Sequence, residues 1–159
     1  MIISYDRKAA VQYAAKWALG RNPMYYDYSK IGGDCTNFAS QCLYSGSGIM
    51  DYTETFGWYY IDANQKAPAW TGVEQLYQYL MKRNRPGPFA EEVGREEVKP
   101  GDLIQLSFNG EIFGHTPVVL AVRPAIFVAA HSEDSFMRPL QTYDYKKIRF
   151  LHILGVEAR

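Results

Sequence analysis

The apolar residues of this chain change their period once, and that change limits the possible folds more than any other feature. Up to about residue 80 they recur at helical spacing. In the first segment Ala10, Tyr13, Ala14 and Trp17 fall at i, i+3, i+4 and i+7, which is one stripe of a helix. Asp6 stands before it as an N-cap, and Gly20 and Pro23 end it. A second stripe, Cys35, Phe38, Ala39 and Cys42, begins after Gly32-Gly33 and stops at Gly46 and Gly48. A third runs through Val73, Leu76, Tyr77 and Leu80, with Thr71 and Glu74 at capping-box spacing. From Val98 onward the period is that of strands. In "GDLIQLSF", Ile104, Leu106 and Phe108 share a face, with Leu103 spoiling the alternation. "HTPVVLAV" and "IFVAAH" are two apolar runs parted by Arg123-Pro124-Ala125. "KIRFLHILGV" places Ile148, Phe150, His152, Leu154 and Val156 on one face. Helices first and strands after predict an α+β fold, with N-terminal helices packed on a C-terminal antiparallel sheet.

The chain has 159 residues, without internal repeats or a low-complexity linker, so one domain is expected over 1–159. Seventeen basic residues balance seventeen acidic ones. A nucleic-acid partner, which calls for a basic stripe, is not expected. No apolar run approaches the length of a membrane span, and the opening "MIISYDRKAA" lacks the apolar region of a secretion signal. Residues 49–70, with "GWYYIDANQKAPAW", form a long aromatic connection that is expected to wall a cleft.

The two cysteines, Cys35 and Cys42, are seven residues apart on one stripe. At a rise of 1.5 Å per residue their Cα atoms lie about 10 Å apart, beyond the roughly 7 Å a disulfide tolerates. No CxxC spacing is present, and neither a metal nor an organic cofactor is expected. On the stripe alone, Cys35 reads as a core residue. Its place at the start of a helix, behind Gly32, Gly33 and Asp34, gives a second reading. Free N–H groups there favour a thiolate and can hold a developing oxyanion.

A cysteine nucleophile needs an imidazole. His115 opens a strand after Gly114, His131 closes the next, and His152 sits within an apolar pattern as a structural residue. If residues 123–125 form a three-residue loop, Val122 pairs with Ile126 and His115 lies opposite Glu133. His131 then shares its face. A one-residue shift places Asp134 opposite His115 instead. Either register supplies a polar group beside the imidazole, and Cys, His and polar group form a triad order.

These residues resemble a known family. "GGDCTNFASQCLYSGSG" is similar to the nucleophile helix of the putative amidase domain family, relatives of the NlpC/P60 and CHAP cysteine peptidases. "KPGDLIQLSF" with "GHTPVVLAV" resembles that superfamily's strand and histidine strand, and "AAHSEDSFMRPL" the amidase family's His-Thr-x-Asp segment, with Ser132 in place of Thr. The resemblance, from about Tyr5 to Leu140, implies a papain-like fold with Cys35 as nucleophile and His115 as base. For the third position it favours His131, with Glu133 and Asp134 as alternatives. It implies hydrolysis of amide bonds in peptides or peptidoglycan, acting at the cell envelope or outside it. Two other readings stay open. One is an acyltransferase or transglutaminase-like enzyme on protein amides. The other is a binding module that keeps the triad only as packing.

Overall fold

Asp6 acts as its position predicts: its carboxylate accepts from the Ala9 N–H at 3.0 Å and starts helix α1 (Arg7–Trp17), just after a short strand β1 (Ile2–Ile3). The computed structural model describes residues 1–158. Helix α2 (Cys35–Ser47) begins at Cys35, and Gly48, at φ 69°, ends it. Gly46 does not stop the helix as expected. It lies inside α2 where Tyr5 crosses, and a Cβ there would sit 2.6 Å from the Tyr5 ring.

The aromatic connection holds an unforeseen hairpin, β2 (Tyr60–Asp62) and β3 (Gln65–Lys66). Its two tryptophans do not line a cleft. Trp58 and Trp70 are fully buried against α2, donating their indole N–H groups to Ser40 Oγ at 3.0 Å and Asn37 Oδ1 at 2.9 Å. Buried indoles need such partners, and α2 supplies them from its polar positions. The capping box at Thr71 and Glu74 does not form. Pro68 starts an earlier turn, α3 (Pro68–Thr71), and Gly72 precedes α4 (Val73–Leu80). Glu74 pairs with Arg149 at 2.9 Å instead.

Among the described residues the sheet has seven strands, all antiparallel: β1, β4 (Gly87–Val93), β5 (Leu103–Ser107), β6 (Val118–Ala121), β7 (Phe127–Ala130), β8 (Ser135–Pro139) and β9 (Lys147–Glu157). β9 is its spine. β4 runs along one edge of it, β5 and then β1 along the other, and β6, β7 and β8 follow β5 in order. β4 begins at Gly87-Pro88, which conceals its strand character in the sequence.

Both faces of the sheet are covered. Leu103, Val118, Leu151 and Ile153 pack with the helices. Ile104, Leu106, Val119 and Phe150 pack on the far side with Val98 and Leu140. Every residue of β5 is therefore buried, and Leu103 has a core of its own to enter. In β9 the expected single apolar face is interrupted. The register shifts between Phe89 and Ala90 of β4, opposite Gly155, so Val156 joins the helix side and Leu154 is exposed.

Candidate active site

Gly32 and Gly33 carry the chain into α2 at φ 84° and 99°, left-handed values that a side chain strains to adopt. Asp34 follows, and its carboxylate does not cap the helix. It turns inward, where Oδ1 accepts from the Tyr28 N–H at 2.8 Å and the Asn37 amide at 2.9 Å. Oδ2 lies 2.6 Å from His131 Nδ1 and 3.7 Å from Arg21 Nε. The Asp34 backbone N–H donates to Ser132 Oγ at 2.9 Å. The start of α2 is thus fixed from both sides before Cys35 begins.

Cys35 is partly exposed and unpaired. Its Sγ lies 3.7 Å from Thr36 Oγ1 and 3.9 Å from the Gly114 carbonyl oxygen. Burial pushes the thiol up from its ordinary value, and the Asp34 charge adds to this. The Thr36 hydroxyl and the Thr116 and Thr36 backbone N–H groups work the other way. Burial wins, so the resting sulfur is a thiol and not the thiolate that a helix start alone favours.

His115 is one residue from that carbonyl. It pairs with Leu106 as an isolated bridge, and its ring sits 5.4 Å from Tyr143 and 6.2 Å from Phe108. Burial, helped by the Arg138 charge and opposed by Glu133, lowers it to about 4. At neutral pH it is an uncharged imidazole. Among the described residues no hydrogen bond joins it to Sγ. The ring borders a pocket of about 290 Å³ lined by Phe108, Ser132, Glu133, Arg138 and Tyr143.

The β6–β7 hairpin starts in the expected register, Ala121 opposite Phe127, and loses it toward the site. Val118 pairs with Ala129 and Val119 with Val128, and the shift lies between Val119 and Ala121. The extra residue is Leu120 of β6, so the bulge turns over the β6 side that leads back to His115 and leaves the alternation of β7 unchanged. Val118 and Ala129 then face the helices, and Val119 faces the far side together with Tyr143, against which the His115 ring lies. His131 accordingly faces the helices, stacked on Phe38 at 4.1 Å. Its Nε2 lies 2.9 Å from the Trp17 carbonyl oxygen and 3.1 Å from Arg21 Nη1. Both ring nitrogens are engaged away from His115, so the expected placement of His131 beside His115 is corrected. Asp134 is held by Arg21, at 2.8 and 3.1 Å. Of the three alternatives, Glu133 alone lines the His115 pocket.

The family model described as a putative amidase domain matches residues 4–154. The chain belongs to that family. A curated relative of this amidase domain, the uncharacterized protein YhbB of Bacillus subtilis, is 37% identical over 140 residues. The match covers 84% of this chain and 43% of that protein, so the domain spans under half of its relative's length. No solved structure matches the chain. No described helix is long and apolar enough to cross a membrane.

Three residues that hold the site were not singled out as site residues from sequence: Asp34, Ser132 and Arg21. Asp34 stands next to the cysteine and Ser132 next to His131, so proximity was a usable signal for both. Arg21, in the loop after α1, carries none.

Proposed function

We propose that this amidase domain is a thiol hydrolase of amide bonds, with Cys35 as nucleophile and His115 as base. One observation carries the reading: Cys35 Sγ, at the start of α2, abuts the backbone at Gly114, and the next residue bears an uncharged imidazole. With the thiol pushed up and the imidazole pushed down, the resting pair is neutral. Deprotonation therefore accompanies attack. Sγ bonds to the amide carbon as its proton passes to His115, and the carbonyl oxygen becomes an oxyanion facing the Cys35 N–H. His115 then gives that proton to the leaving nitrogen, the C–N bond breaks, and a thioester remains. Water, deprotonated by His115, attacks the thioester and releases acid and thiol. The dyad closes as substrate enters, since catalytic hydrogen bonds commonly tighten only in the complex. Glu133, in the same pocket, takes the third position.

The order of a helix-borne cysteine followed by a histidine just ahead of a sheet strand supports a papain-like domain over 1–159, akin to NlpC/P60 and CHAP peptidases. The substrate class that follows is a peptide amide, with peptidoglycan stem peptides and the cell envelope as the setting. A pocket that offers both Arg138 and Glu133 suits a polar peptide. The test is mass spectrometry of fragments released from purified peptidoglycan. Wild type is expected to generate new amine and carboxyl ends that Cys35→Ala does not. Equal release by both proteins sinks the reading.

A further inference from the structure

We propose that the buried His131–Asp34 pair is a positioning pair for Cys35: it locks the start of α2 against the end of β7 and offsets the Asp34 charge next to the sulfur. The inference rests on Cys35 being the reactive thiol and gives His131 a role through Asp34, away from His115.

The geometry is closed. His131 and Asp34 are each almost fully buried, at 1% and 0% exposure. An Asp34 carboxylate that already takes two N–H donors is an acceptor for His131, so Nδ1 carries the hydrogen. The Phe38 ring, one helical turn into α2, holds the imidazole flat. Arg21 closes the outer side: it reaches His131, Asp34 and Asp134, and Asp27 lies on its far edge at 3.1 Å. The charged groups around the pair are therefore Arg21, Asp27 and Asp134. On the thiol side, the Asp34 charge acts on Cys35, and the titratable His115 follows the Gly114 carbonyl that Sγ abuts. Ser132, following His131 directly, returns to the Asp34 N–H. Two consecutive residues thus grip the residue before the nucleophile by its side chain and by its backbone.

Asp34 directly precedes a sulfur that must become negative, and its charge pushes the Cys35 thiol up. Each partner that draws on the carboxylate weakens its repulsion of a thiolate. Removing a partner and removing the carboxylate should therefore move the thiol in opposite directions. A purely structural pair gives no such opposition.

The experiment follows the rate of iodoacetamide alkylation against pH, read at the Cys35 peptide by mass, on the full chain. His131→Phe keeps the ring that stacks on Phe38 and loses both nitrogens. Its profile is expected to move up by about one pH unit, roughly tenfold slower alkylation below the midpoint. Arg21→Gln, in a half-exposed loop, is expected to move the same way by less, and serves should His131→Phe fail to fold. Asp34→Asn is expected to move the profile down. Profiles that overlay wild type, or that all move one way, overturn the proposal even where the variants melt early. Alkylation needs no substrate. A wild type that alkylates but hydrolyses no amide sinks the hydrolase reading alone, and a Cys35 inert in every folded protein overturns both.

Discussion

Asp34 and Asp102 are both fully buried, and each is tied by an imidazole and a guanidinium. Asp34 has His131 and Arg21. Asp102 has His152 Nδ1 at 2.8 Å and Arg7 Nη1 at 2.7 Å, and also accepts from the Lys99 and Ile153 N–H groups at 2.8 and 2.9 Å. The parts are nearly the same, and the surroundings differ. Asp102 knots the start of β5 to β9 and α1, and its partners are structural. Asp34 sits one residue before a cysteine at a helix start. An Asp–His–Arg cluster in this chain is thus a fastening, and only its neighbour decides whether fastening serves chemistry.

The sharpest test of that difference is Cys35→Ala. Amide hydrolysis is expected to vanish while the melting curve stays nearly in place. A large stability loss with activity kept would make both clusters structural. Next is Asp102→Ala, which leaves Arg7 and His152 facing an emptied site. Breaking such a buried pair costs about 3–5 kcal/mol, measurable by urea unfolding, and Cys35 alkylation in the folded fraction is expected to be unmoved. A third effect is on pH. His115 is held at about 4 in the folded chain against about 6.5 unfolded. Between those values the unfolded chain binds more protons, so stability falls as pH drops from 6.5 toward 4, by up to about 3 kcal/mol. Above 6.5 the group contributes nothing. Denaturant midpoints across this window should show the slope, and His115→Gln should flatten it while lowering hydrolysis about 10²- to 10⁴-fold. The smallest effect is His152→Phe. Loss of its bond to Asp102 is expected to cost about 1–3 kcal/mol and to leave the Cys35 alkylation profile in place, in contrast to His131→Phe.

Periodicity located α1, α2 and the four central runs of the sheet because each buries a regular stripe. It missed what irregularity conceals. β4 opens on Gly87-Pro88 and reads as a breaker. β8 is a half-exposed strand that includes Met137 at φ 54° and ends at Pro139. The capping-box spacing at Thr71 was present but was overridden by Pro68 and Gly72. The site divided along the same line. Cys35 at the start of α2 follows from local pattern; that its Sγ abuts the carbonyl one residue before His115 is a contact across 79 residues, which no local pattern sets. Whether His115 shares a face with His131 depends on a bulge at Leu120, between Val119 and Ala121. A bulge is set by tertiary packing on both sides of the sheet, and no spacing in "HTPVVLAV" or "IFVAAH" records it.

Strand β1 pairs with the end of β9, Ile2 against Glu157, and the Ala158 N–H donates to the Met1 carbonyl at 2.8 Å. The first and last described residues therefore meet side by side. A linker of a few residues would join them into a ring without moving a strand, and new ends opened in the exposed turn at 109–112 would leave every core contact in place. Such a circular permutant would put the chain's free ends a few residues from His115, which offers a direct way to tether a trial substrate to the pocket.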